Sequence, residues 1–194
     1  MLKKIVLLAS LVLALVVGAV ARPAAAASFV PSTDPWSEIQ TQATAIGQQA
    51  ADIVSASQAI QAYAAQIQAN ETNPDVNAWA ADLIALASQT EQDAAAIMVT
   101  ANDINTRIDN SEGTTLALSD DIGEMADRIG EMADRILWTE LQIGVMADRI
   151  VESEYLISDS SLGLAQMVQN SSNILATNGN AIATEAAAIN ALLP

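Results

Sequence analysis

From Ile122 to Leu164 an isoleucine or leucine returns at every seventh position: Ile122, Ile129, Ile136, Ile143, Ile150, Ile157 and Leu164. Two neighbouring heptads are identical, IGEMADR followed by IGEMADR, and a third copy, IGVMADR, starts at Ile143 after one divergent heptad. Apolar residues seven apart keep one stripe of a slightly underwound helix turned toward a partner helix. The chain is therefore constrained to long helices lying side by side. The same spacing recurs elsewhere, as Ile39, Ile46, Ile53, Ile60 and Ile67, and as Val76, Leu83, Thr90, Ile97 and Ile104 with Trp79 and Leu86 beside them. After Leu164 it continues, following one four-residue step, through Val168, Leu175, Ile182 and Ile189.

Turn-forming residues divide these stripes. Pro35 suits a first helical turn, and Thr33 or Asp34 can cap it. Asn70 to Asp75 contains Pro74, which cannot continue a helix and biases Asn73 away from helical geometry, while Asp75 can cap the next helix. Asn110 to Thr115 places Gly113 where a left-handed residue ends a helix, with Thr114 or Thr115 as the following cap. Ser158 to Ser161, with Gly163, marks a weaker third break, and Asn178-Gly179-Asn180 is expected to kink the last helix. The expected helices span about 36–69, 75–110, 115–157 and 160–192. Short connections between long helices favour antiparallel neighbours, so the fold expected is an all-α up-down-up-down four-helix bundle over 36–194. One competing arrangement exists. The seven-residue frame runs unbroken through Ser111, and a single helix from Val76 to Ile157 in a long hairpin would also satisfy it.

Within the repeat, Met125, Met132 and Met146 follow the isoleucines by three, Ala126, Ala133 and Ala147 by four, and Gly123, Gly130 and Gly144 by one. Glycine inside a helix costs about 0.8–1 kcal/mol relative to alanine. Close approach of a second helix is the expected reason for all three. Glu124 with Arg128, and Glu131 with Arg135, are spaced for intrahelical ion pairs of roughly 0.2–0.5 kcal/mol each.

Residues 1–27 have the make-up of a secretory signal: Lys3 and Lys4, an apolar run from Ile5 to Val20, and small residues at Ala25-Ala26-Ala27 before a cut. An uncleaved N-terminal anchor is the alternative. Residues 28–35 read as an extended lead-in, and the chain lacks the cysteine a bacterial lipoprotein anchor requires. Beyond residue 27 the basic residues number four, all arginine, against 23 acids, giving a net charge of −19. That field repels phosphate backbones and anionic lipid, arguing against nucleic acid and anionic membrane surfaces as partners, while weakly attracting cations. Cysteine and histidine are both absent, which excludes disulfides, thiolate nucleophiles, imidazole bases and His or Cys metal ligands.

The remaining chemistry is thin. The three methionines could supply thioethers to copper(I), although methionine at such positions is usually core filler. Asp120, Asp121, Glu124, Asp127, Glu131 and Asp134 could attract calcium, but no loop has the spaced ligands and central glycine of a high-affinity site. Asn70 and Asn170 match a glycosylation pattern incidentally. Thr90, Thr139, Ser153 and Ser160 fall on or near the apolar stripe and are read as tuning register, their hydroxyls met by backbone carbonyls. No catalytic, cofactor or metal residue is assigned. The expected function is that of an exported, non-catalytic structural or interaction protein that binds a protein partner or itself. A cation- or small-ligand-binding bundle is the alternative.

Overall fold

A computed structural model describes residues 34–111 and 116–193. The proposed signal, most of the lead-in, and the Gly113, Thr114 and Thr115 caps lie outside the described residues. The elements are α1 (Pro35–Asn70), α2 (Pro74–Asp109), α3 (Leu116–Glu152) and α4 (Asp159–Leu192), with a short 3-10 turn at Glu154–Leu156. Asp34 accepts a hydrogen bond from the Trp36 amide, with Pro35 in the first turn, as its chemistry requires.

Each helix packs against the one before it, and α4 closes the ring on α1. Cross-helix hydrogen bonds fix the directions. Gln40 Nε2 donates to Asp109 at 2.6 Å, Gln61 Nε2 to Glu91 at 2.7 Å and Gln68 Nε2 to the Asn77 carbonyl at 3.2 Å, so α1 and α2 run antiparallel. Asn190 to Asp127 and Gln169 to Asp148, both 2.7 Å, establish the same for α3 and α4. Arg107 with Asp121, and Arg135 with Asp93, do so for α2 and α3. The chain is an up-down-up-down four-helix bundle, and the single rod from Val76 to Ile157 is not formed.

The core has a simple composition. In α1 the buried stripe alternates isoleucine with a small side chain, Ile39, Ala43, Ile46, Ala50, Ile53, Ser57, Ile60, Ala64, Ile67, with Trp36 and Ala56 buried beside it. In α2 the stripe is Val76, Ala80, Leu83, Ala87, Thr90, Ala94, Ile97, Ala101 and Ile104, with Asp93 buried beside it. The step alternates four and three, the spacing that keeps a stripe facing a neighbour. The second core position is therefore the small residue four after each isoleucine. In α3 this makes Ala126, Ala133 and Ala147 fully or almost fully buried, while Met132 and Met146 flank the core half-exposed and only Met125 is buried. Pairing a large with a small residue at each level lets four helices share one interior without overfilling it.

Several boundaries differ from the expectation. Asn73, not Asp75, caps α2, its Oδ1 accepting from the Asp75 and Val76 amides at 2.9 and 3.2 Å. Pro74 thus opens α2, where a missing N–H costs nothing. Helix α3 ends at Glu152 rather than residue 157, because the 3-10 turn that follows draws Ile157 into the connection. The four helices then have 36, 36, 37 and 34 residues, a closer match than the unequal lengths expected from sequence. Helix α4 is continuous through Asn178-Gly179-Asn180. Gly179 is buried, and a Cβ there would meet Leu137 Cδ2 at 3.0 Å and Cγ at 3.2 Å, so this glycine serves close contact with α3 rather than a kink. Gly130 and Gly144 reverse that logic: nothing stands within 4 Å of a Cβ at either, so helix approach does not explain them.

Candidate functional site

Two regions depart from the regular alternation of large and small. The first is inside. Ser57 takes the place of an alanine in α1, Thr90 that of an isoleucine or leucine in α2, and Ser172 that of an alanine or glycine in α4, all buried. In α3 the corresponding small position holds Glu140, beside buried Thr139. The antiparallel register puts these residues within about one helical turn of a common level near mid-bundle. Thr90 Oγ1 bonds the Leu86 carbonyl at 3.1 Å, Thr139 Oγ1 the Arg135 carbonyl at 2.8 Å, and Ser172 Oγ donates to Glu140 at 2.8 Å. Ser57 Oγ has no hydrogen-bond partner among the described residues.

The hydroxyls of Thr90, Thr139 and Ser153 are satisfied by the carbonyl four residues back, as expected. Ser160 instead lies exposed in the first turn of α4. Ser57 and Ser172 are the layer's unanticipated members; the signal was their place in the four-three alternation, four residues after Ile53 and Val168. An unpartnered buried hydroxyl costs roughly 1–3 kcal/mol of desolvation. Ser57→Ala, which restores the residue found at positions 43, 50 and 64, is expected to raise stability by about 1 kcal/mol, read as a higher urea midpoint with unchanged slope.

Near the same level Asp93, buried on α2, receives Arg135 of α3 through Nη2 at 2.8 Å and Nε at 3.3 Å. The hydrogen bond to Asp93 holds the guanidinium above its ordinary value. Arg135 was expected to pair with Glu131 on its own helix. A nearly buried carboxylate gains more from a two-point contact than an exposed one does. Arg128 likewise bonds the backbone carbonyl of Glu124 rather than its carboxylate.

At the bundle end where the α1–α2 and α3–α4 connections meet, Glu71 accepts from the Ser158 amide at 2.9 Å and its hydroxyl at 2.7 Å. Hydrogen bonds from Ser161, then from the Ser158 amide, hold Glu71 below its ordinary value of 4.5, while partial desolvation opposes them. A carboxylate lowered in the folded state stabilises above its unfolded pKa and loses that contribution as pH falls through its folded pKa. Glu71→Gln should thus melt lower than the native chain at pH 7. The gap should close as pH drops below about 4.5, as thermal melts of the two proteins side by side will show.

The second departure is on the surface. At the outward positions of the α3 repeat, Glu124 and Glu131 are followed by Trp138 and Val145, and Asp127 and Asp134 by Leu141, before Asp148 resumes the acidic series. Trp138 and Leu141 are each 66% exposed and Val145 is 47% exposed. They stand three and four residues apart on one face, bounded by Asp134 and Arg135 on one side and Asp148 and Arg149 on the other. The divergent heptad, which looks in sequence like a lapse in the repeat, is the most apolar part of the outer surface of α3.

The other sequence candidates do not converge. Seven helical residues rise about 10 Å, so Met125, Met132 and Met146 are strung along α3 with their sulfurs at separate levels. Asp120, Glu124, Glu131 and Asp134 face solvent, Asp121 pairs with Arg107, and Asp127 accepts from Asn190. Among the described residues no group of three acids is placed to hold a metal ion, and no helix is long and apolar enough to cross a membrane. The class of protein this fold defines is an antiparallel four-helix bundle with an isoleucine–alanine core. Comparison with family models, with curated proteins and with solved structures finds no match.

Proposed function

We propose that this chain is exported and works as a non-catalytic structural or interaction protein. The observation that carries this reading is the exposed Trp138, Leu141 and Val145 face on α3, set into an otherwise acidic helix surface. Three apolar side chains where the repeat prescribes Glu, Asp and Glu add nothing to the monomer core. A contiguous exposed apolar strip with a charged border has the make-up of a protein contact: apolar centre, polar rim. The segment 1–27 supplies the export half of the reading, and the net charge of −19 beyond residue 27 disfavours nucleic acid and anionic lipid as what is bound.

Photocrosslinking in intact cells tests it, with a photoreactive side chain at position 141 and, as control, at Asp52, an exposed residue of α1. Discrete protein adducts from 141 and none from 52 are expected, on a chain whose N-terminus sequences as Ser28. Absence of adducts from any outward position of α3 overturns the interaction reading, and an intact Met1 overturns processing. The rival cation-binding bundle predicts a rise in melting temperature with calcium or copper(I); the reading proposed here predicts none.

A further inference from the structure

We infer that the Trp138, Leu141 and Val145 face of α3 binds a second copy of this chain, the two α3 helices crossing antiparallel. This rests on the interaction reading above and names its partner. The argument comes from the charges on either side of the strip. A parallel two-fold arrangement would set every residue against its own copy, Asp134 against Asp134 and Asp148 against Asp148, and like charges held together oppose association. Turning one helix end for end changes this. With Trp138 opposite the partner's Val145, the seven-residue offset places Asp134 opposite the partner's Arg149 and Arg135 opposite the partner's Asp148.

A two-fold axis repeats each contact, so four oppositely charged pairings frame an apolar centre made by both copies. Arg135 is already held by Asp93, and Asp148 accepts from Gln169. Asp134 and Arg149, both exposed, therefore carry the discrimination between alignments. Over the Glu131 to Glu152 overlap the one like-charged pairing is Glu131 with the partner's Glu152, at the two outer edges, where physiological salt screens it. Three of the four arginines beyond residue 27, Arg128, Arg135 and Arg149, lie on α3. α3 still carries nine acids against these three arginines, so contact between two copies depends on the Asp134–Arg149 and Arg135–Asp148 pairings and not on a low net charge.

Sedimentation equilibrium of the chain from Ser28, which holds all four helices, tests the inference. A monomer–dimer equilibrium in the micromolar range is expected. Leu141→Asp, which installs the repeat's own residue at an exposed site, should abolish the dimer without changing helix content or melting temperature. Arg149→Asp replaces two attractions by two repulsions and should weaken the dimer on the order of tenfold or more. Asp134→Arg combined with Arg149→Asp should return it to within a few-fold of native. A monomer at every concentration, a dimer indifferent to Leu141→Asp, or no recovery in the double exchange overturns the inference. The crosslinking experiment separates this from failure of the broader reading: an adduct at 141 with a different protein sinks self-pairing alone, and no adduct sinks both.

Discussion

Ile60→Ala is expected to destabilise the bundle by about 3 kcal/mol, within the 2–5 kcal/mol found when a large aliphatic core residue is truncated. Ile60 is fully buried on α1 and lies in the central stretch of the core, where neighbouring helices supply alanines at alternate positions. Those alanines have no side-chain length to swing into a void. The cavity should therefore persist rather than collapse, placing the cost above that of transfer alone. Ile189→Ala, equally buried but three residues from the end of α4, should cost less because a helix end can settle. Chemical denaturation with matched slopes reads both. Equal losses at the two sites would show that the core relaxes uniformly and that the isoleucine–alanine alternation does not hold its shape.

Replacing Gly47, Gly130 and Gly144 together by alanine is expected to stabilise the protein by about 2–3 kcal/mol, from roughly 0.8–1 kcal/mol of helix propensity at each site. A Cβ at any of the three has nothing within 4 Å. The sites are on different helices or two heptads apart, so their effects should add. Gly179→Ala supplies the contrast. Its new Cβ would press on Leu137 at 3.0 Å, so the propensity gain is offset by displacement of that side chain, and no net stabilisation is expected. Thermal melts of the triple variant and of Gly179→Ala decide the matter. A triple variant no more stable than native would mean these helices gain nothing from alanine at open positions. The three glycines floor shallow depressions between paired helices, Gly130 beside Ala183 and Asn190, Gly144 beside Gln169 and Ser172, and Gly47 beside Ala101 and Asn105.

How far the sequence could be read is clearest at particular residues. The isoleucines spaced by seven announced themselves, since any buried stripe on a long helix must repeat near every second turn, and those of the stripes that lie within the helices are buried, while Ile84, Ile108 and Ile174, outside that spacing, are not. The spacing favours the methionine three residues on as the second core position, although the alanine four residues on leaves a stripe of the same period. Neighbouring helices settled it for Ala126, Ala133 and Ala147. At the start of α1 the sequence offers Thr33 or Asp34 before Pro35, and the structure selects Asp34. The cap of α2 was misread where Asn73 and Asp75 flanked Pro74, since both side chains can accept a backbone N–H and only chain direction chooses. The ion pairs were misassigned because i,i+4 spacing is visible in a string of letters and Asp93, 42 residues before Arg135, is not.

The amino-acid order alone determined that this chain forms long helices with one greasy stripe each, an acidic exterior, and no thiol or imidazole chemistry, because periodicity and residue type act through local geometry and need no partner. The tertiary structure decided that α2 ends at Asp109 rather than running on through Ser111, that Gly179 is a contact point and Gly130 is not, and that the lapse in the repeat at Trp138 and Leu141 faces outward. Those outcomes depend on which helix lies alongside, and a heptad specifies that a neighbour exists without specifying which one.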